Sequence, residues 1–81
     1  MLMPDKHISL SESIIGLGCL VLEILTSKKN IDEIHIEIIK QYRKGVISSY
    51  HSYENTVLAV VFLYSIGIVD KDNLGCIYKC D

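Results

Sequence analysis

The sequence lacks the features by which membrane proteins and dedicated nucleic-acid-binding proteins are recognised. It has no stretch of about 18 to 20 apolar residues, the length that a membrane-spanning helix requires. The apolar run at residues 14–25 is shorter, contains two glycines and is interrupted by Glu23. Basic residues are in the minority, with 8 Lys and Arg against 10 Asp and Glu and a formal net charge of −2. Because proteins that bind nucleic acid on their own usually carry a basic face, this charge argues against such a function.

Motifs that carry catalysis are also missing. The sequence has no G-x-S-x-G nucleophile elbow and no phosphate-binding glycine loop after a predicted strand. The glycine-containing string at residues 16–18 lies inside a predicted helix that starts upstream, so it cannot cradle a phosphate. We therefore expect a protein that is not an enzyme and that needs no cofactor.

Cysteine and histidine are too scattered to predict a disulfide or a metal site. Cys76 and Cys80 share one face of a predicted strand, roughly 13 Å apart, which is too far for a disulfide, and they lack the C-x2-C spacing of a zinc knuckle. Cys19 falls in an apolar helix, where a thiol usually acts as a small hydrophobe. Asp32 and His35 are one helical turn apart, but two ligands do not complete a metal site. We expect structural or surface roles for these residues.

What the sequence does contain is apolar material for one small folded domain. Of its 81 residues, 49% are hydrophobic and 22% are charged, which is typical of globular proteins. We expect a single domain over residues 1–81, near the size at which only about 60% of the unfolded chain's surface becomes buried. The first ten residues lack the charged region and cleavage site of a secretory signal, which predicts a cytoplasmic protein that does not associate with a membrane.

Two helix starts are marked by capping motifs. The S-x-x-E motif at residues 9–12 predicts the start of a first helix, which we expect to end near Ser27. Asn30 and Glu33 repeat this capping pattern and predict the start of a second helix. Gly16 and Gly18 lie early in the first helix, each at a cost of about 1 kcal/mol relative to Ala. This cost indicates either that another backbone packs closely there or that the helix starts weakly.

The rest of the chain predicts a third helix and a hairpin. The second helix is expected to end at Gly45, and the third to run from Ser52 to Gly67. Strands are expected at residues 68–69 and 76–78, on either side of a turn. Three helices followed by a short C-terminal β-hairpin make a mostly α, winged-helix-like fold. The alternative is a plain three-helix bundle with a loose tail.

Apolar surface is present in excess. Residues 57–64 are apolar or aromatic at every position, whereas a surface helix needs an apolar stripe only about 100° wide. The first helix is also apolar on more than one face, and Ile36 lies opposite the apolar stripe of the second helix. Monomers rarely expose large contiguous apolar patches. The first and third helices could bury most of this apolar surface against each other. If they do not, the excess predicts an obligate partner or a homodimer.

The predicted third helix is poorly suited to read DNA. Its exposed start, residues 52–55, contains no Arg or Lys, and Glu54 would repel the phosphate backbone. Basic residues cluster instead around the second helix, and acidic residues of that helix offset them: Lys28, Lys29, Lys40, Arg43 and Lys44 against Asp32, Glu33 and Glu37. Three of the basic residues lie at the end of the helix, Lys40, Arg43 and Lys44. These three are the candidate nucleic-acid contacts, and we expect DNA to be bound only weakly or through a larger complex.

Two blocks of the sequence resemble the type 6 middle components of ABC-three component systems. The first is PDKHISLSESIIGLG at residues 4–18, and the family tends to begin with P-x-K-H-I-x-L-S-x-S, two aliphatic residues and G-L-G. The second joins SYEN at residues 52–55 to VLA at residues 57–59 and LYSIG at residues 63–67. Between the blocks, the sequence is similar only in providing a helix of comparable length.

The resemblance implies a non-catalytic adaptor in a bacterial system that acts against phage and plasmid DNA. Such a component would dock on an SMC/Rad50-like ABC ATPase with long coiled coils and, in some systems, on an effector subunit. We expect the contacts to involve Leu22, Ile36 and Phe62, since they belong to the helices with excess apolar surface. The alternative is a free winged-helix DNA-binding regulator, alone or as a homodimer.

Overall fold

The computed structural model describes residues 5–47 and 50–80, with side chains described from Ile14 onward. It contains three helices followed by a two-stranded antiparallel hairpin, as the sequence predicts. The elements are α1 (Asp5–Ile24), α2 (Ile31–Arg43), α3 (Tyr53–Ser65), β1 (Val69–Lys71) and β2 (Ile77–Lys79). No helix in the described part of the chain is long and apolar enough to cross a membrane.

The hairpin is tied into the fold and is not a loose tail. β1 and β2 pair with Asp70 opposite Tyr78. On the other side of β2, Ile77 donates its N–H to the Lys29 carbonyl at 2.7 Å and accepts the Lys29 N–H at 3.1 Å. Lys29, in the connection between α1 and α2, therefore forms an isolated β-bridge with the free side of β2. This arrangement is consistent with a winged-helix-like fold and disagrees with a plain three-helix bundle.

One apolar core joins all five elements. Thr56 is fully buried beside it and has both a hydrogen-bond donor and an acceptor partner. The buried hydrophobic residues come from each helix and from both strands, so the hairpin closes one end of the core: Leu17, Val21, Ile24, Leu25, Ile34, Ile38, Ala59, Val60, Leu63, Val69 and Ile77.

The predicted caps of α2 and α3 are confirmed. Asn30 and Glu33 form the complete capping box, with the Asn30 carboxamide oxygen accepting the Glu33 N–H at 2.8 Å and a Glu33 carboxylate oxygen accepting the Asn30 N–H at 2.9 Å. Ser52 caps α3 through its hydroxyl oxygen. Gly45 and Gly67, the predicted helix stops, have φ of +80° and +82°, which side chains rarely tolerate.

The predicted boundaries of α1 are wrong. α1 begins at Asp5, so Ser9 lies inside the helix and cannot be its N-cap; the side chains of the proposed capping box lie outside the described residues. The sequence between Asp5 and Ser9 contains no helix-breaking residue, and an acidic first residue suits the positive end of the helix dipole. At the other end, α1 stops at Ile24 and not near Ser27, because the chain must extend before its bridge at Lys29.

The strands begin one residue later than predicted. β1 starts at Val69 and β2 at Ile77. Asp72 explains the shift of β2, because one of its carboxylate oxygens accepts the N–H groups of both Leu74 and Cys76 at 2.9 Å. These bonds hold Cys76 in the turn and keep it out of the strand.

Two expectations about α1 need correction. A Cβ at Gly18 would lie 3.4 Å from the Leu63 side chain, and a Cβ at Gly16 would meet nothing within 4 Å. A side chain of α3, and not a backbone, therefore packs against one of the two glycines. Cys19 is exposed, so it is not a small core hydrophobe.

Candidate interaction surface

The outward face of α3 is apolar and exposed. The inward face buries Thr56, Ala59, Val60 and Leu63. Val57 and Phe62 are half-buried at its sides, and the other apolar side chains are exposed. Three of them, Leu58, Val61 and Tyr64, are 49%, 53% and 50% exposed. The helix carries one carboxylate, Glu54, and no Lys or Arg.

An apolar cleft adjoins this face. It has a volume of about 160 Å³ and lies where α3 approaches the first residue of α2 and the hairpin. Among the residues that line it, Lys71 is the only one that carries a charge. We call this cleft the α3 groove; it is lined by Ile31, Val60, Val61, Tyr64, Lys71 and Ile77.

The partner contacts expected from the sequence lie elsewhere. Ile36 is 54% exposed, as its position opposite the stripe of α2 predicts. Leu22 and Phe62 are half-buried and pack against the core, because α1 and α3 cover each other along one side. None of the three lines the α3 groove, so the structure does not bring them together with it.

Sequence reasoning missed Leu58, Val61 and Tyr64 as the exposed set. A usable signal was present at the ends of α3. Glu54 precedes Leu58 by four residues and Ser65 follows Val61 by four residues, so that these four side chains share one helix face. Polar residues at both ends of a face mark the side that meets solvent.

The predicted basic cluster is exposed at the end of α2. Lys40, Arg43 and Lys44 all lie at the surface. Within residues 14–47 and 50–80, the one ion pair joins Lys28 to Asp72 at 3.3 Å, so none of the three cluster cations has a carboxylate partner there. They lie at the opposite end of α2 from Ile31, which lines the α3 groove.

A polar cluster joins α2 to α3. The Thr56 hydroxyl donates to the Ser52 carbonyl at 3.2 Å, which leaves its oxygen to accept from His35 Nδ1, also at 3.2 Å. The Tyr53 ring stands edge-on to the His35 ring, with centroids 5.5 Å apart. A hydrogen bond to the Asp32 carboxylate raises the pKa of the Tyr53 phenol. These contacts give His35 a structural partner and connect α2 to α3.

Neither metal binding nor a charged ligand is favoured by the remaining polar groups. In the part of the chain that the structure describes, no three His, Cys, Asp or Glu residues are grouped to hold a metal ion. A larger cleft of about 300 Å³ lies between α1 and α2. It combines the carboxylates of Glu23 and Glu37 with Lys29 and Gln41, so it presents no single sign of charge. The α3 groove is therefore the better candidate for a functional surface.

Comparison with known proteins identifies a family. The family described as ABC-three component (ABC-3C) system Middle Component 6 matches residues 3–80. No curated protein and no solved structure matches the chain. Because the match covers nearly the whole sequence, including both blocks of resemblance and all five structural elements, the chain belongs to the ABC-three component system middle component 6 family.

Proposed function

We propose that the protein is a non-catalytic adaptor that docks on an SMC/Rad50-like ABC ATPase in the bacterial cytoplasm and, in some systems, on an effector subunit. The whole assembly would act in defence against phage and plasmids. Membership of a middle component family supports a role inside a multi-protein system. The docking itself is our inference from the surface of α3.

The observation that carries the proposal is the apolar outer face of α3. A third helix that reads DNA in a winged-helix fold needs Arg, Lys or amide side chains on its exposed face. In this protein Asn55 is the one such side chain of α3, and the row that it starts continues with Leu58, Val61 and Tyr64, each about half exposed. Apolar side chains exposed together on one small surface favour burial against another protein.

Ile36, Leu22 and Phe62 have secondary roles in this proposal. Ile36 offers a separate apolar contact on the outer side of α2. Leu22 and Phe62 can offer only their exposed edges, since the rest of each side chain packs on the core. Substituting either of them would disturb folding together with binding, so Ile36 is the informative one to change.

Co-expression tests the adaptor function. The chain would be produced alone and together with the ABC ATPase of the same system, and masses would be measured by light scattering after size exclusion. We expect a stable complex, and we expect the binding of anilinonaphthalene sulfonate to the free chain to be lost in the complex. Elution of the two proteins as separate species at micromolar concentration would refute the proposal.

The exposed cations at the end of α2 favour one alternative, a free DNA-binding regulator. That function predicts duplex affinity that falls steeply with salt, with a slope of about 0.9 per phosphate contacted. Replacing Lys40, Arg43 and Lys44 with Glu would then abolish binding. For the adaptor, we expect no specific duplex binding by the isolated chain and no effect of these changes on complex formation.

A further inference from the structure

The shape and charge of the α3 groove select one kind of partner. We propose that the groove binds an amphipathic helix that lays its apolar face along α3 and carries an acidic residue at the edge beside Lys71. This inference rests on the adaptor function proposed above, since it names the element that the surface receives.

A helical partner fits the direction of the exposed apolar side chains. Leu58, Val61 and Tyr64 recur every three residues and therefore form an oblique row on the helix surface, inclined by about 45° to the helix axis. From the first to the third of them the row rises by about 9 Å, and a row of this kind packs into the groove between two side-chain rows of a second helix.

An extended partner strand is disfavoured at the neighbouring sheet edge. The N–H and carbonyl of Ile77 bond to Lys29, on the side of β2 away from β1. Ile77 and Lys71 are therefore a non-hydrogen-bonded pair of the hairpin, and the N–H and carbonyl of Lys71 point to the outer edge of β1. There the Lys71 N–H is already donated to the Asp70 carboxylate at 2.8 Å. A β-strand added to this edge would have to break that bond, whereas a helix against α3 would not.

The groove provides a seat for one anchoring side chain. Its apolar lining includes Ile31 and Ile77 together with Val61 and Tyr64 of α3, and its volume is about 160 Å³. A large aliphatic or aromatic side chain of the partner helix can enter it, which is the usual way in which a helix binds a hydrophobic groove. This residue would be the energetic centre of the contact.

The positive charge of Lys71 determines which sign of charge the partner carries beside the groove. Lys71 is the charged residue among those that line it, and its side chain is exposed. Within residues 14–47 and 50–80 its ammonium group has no carboxylate within 4.0 Å, because Lys28 and Asp72 form the one ion pair of that part of the chain. A partner carboxylate at this edge would therefore be attracted, and a partner Lys or Arg would be repelled.

A designed peptide tests the groove without the ATPase. The probe is a synthetic helix of about 18 residues, with leucines on one face and glutamates flanking them, and the comparison peptide carries lysine in place of each glutamate. Each is titrated into the isotopically labelled chain and followed by nuclear magnetic resonance. We expect saturable shifts at Val61, Tyr64 and Ile77, with an affinity for the acidic peptide at least about 10-fold higher that falls as salt is added.

Matched variants locate the contact. Val61→Glu should weaken binding of the acidic peptide about 30-fold or more, as expected for a central anchor. Leu74→Glu is the control, since Leu74 is 88% exposed on the hairpin turn and does not line the groove; we expect a change within about 2-fold. Circular dichroism and thermal unfolding confirm that both variants fold.

Several outcomes would overturn the proposal: no saturable binding, equal binding of the lysine peptide, or shifts centred on Ile36. A homodimer of the free chain that Val61→Glu dissociates would place a second copy in the groove and would also overturn it. If the peptide binds as expected but the ATPase does not, the adaptor function fails and the groove assignment stands. If the ATPase binds Val61→Glu as tightly as the wild type, the groove assignment fails and the adaptor function stands.

Discussion

Replacing the two glycines of α1 one at a time measures how closely α1 approaches α3. Both lie in the interior of the helix, where Gly is about 0.8 to 1.0 kcal/mol less favourable than Ala. Their surroundings differ. A Cβ at Gly16 would meet no atom within 4 Å, whereas a Cβ at Gly18 would lie 3.4 Å from Leu63 Cδ2 and 3.6 Å from its Cγ.

These distances set the expected free energies of unfolding. Gly16→Ala should gain the full helix term, about 1 kcal/mol, which raises the midpoint of thermal unfolding by about 4 to 8 °C. Gly18→Ala gains the same term, and its Cβ would be in van der Waals contact with the Leu63 side chain with no space to spare, so we expect a net gain no larger than at Gly16. Gly18→Val adds two more methyl groups at the same place and should destabilise the protein by about 1 to 3 kcal/mol.

Urea unfolding followed by circular dichroism gives the order of stabilities. We expect Gly16→Ala to be the most stable and Gly18→Val the least stable of the three variants. Gly67→Ala is the control, because φ of +82° at that position makes alanine unfavourable and should lower stability. If Gly18→Val were as stable as Gly16→Ala, the close approach of Leu63 to α1 would be refuted.

Two further substitutions test polar contacts that fix local structure. Thr56→Val should lower the free energy of unfolding in urea by about 1 to 2 kcal/mol, because it leaves His35 Nδ1 without its partner; unchanged stability would contradict this role. Hydrogen bonds from the Cys76 and Leu74 N–H groups and from Lys28 hold the pKa of Asp72 below its ordinary value of 3.8. The ionised Asp72 carboxylate therefore stabilises the fold above about pH 4, and this stabilisation is lost as the pH falls through the lowered pKa. Asp72→Asn should therefore be less stable than wild type at pH 7, and thermal unfolding should show the difference shrinking in acid; an equal difference at pH 2 would refute the assignment.

The sequence predicts α2 well because several local signals agree there. Asn30 and Glu33 form the expected capping box, Ile34 and Ile38 are buried at helical spacing, and Gly45 has the left-handed conformation of a helix stop. Each of these features depends only on residues within one or two turns. Local interactions of this kind are readable without knowledge of the tertiary structure.

The errors arise where distant contacts or uniform composition decide the outcome. The end of α1 is set by the pairing of Lys29 with Ile77, which lies far along the sequence. The start of β2 is set by Asp72, whose carboxylate holds the Cys76 N–H in the turn. In α3, nearly every residue is apolar, so periodicity within the helix does not separate the inward face from the outward one. The polar residues at its two ends, Glu54 and Ser65, are the signal that marks the side on which Val61 is exposed.

Uniform composition in α3 is also the strongest functional signal of the chain. A helix that served only the core would be expected to carry polar residues on its solvent side, as α2 does with Glu33, Lys40 and Arg43. α3 buries one face completely and leaves Leu58 and Val61 in water. Exposure of such a face by an isolated monomer carries a risk of aggregation. Its presence in a family of multi-protein systems is accounted for if another component covers it, which is the role of the amphipathic helix proposed above.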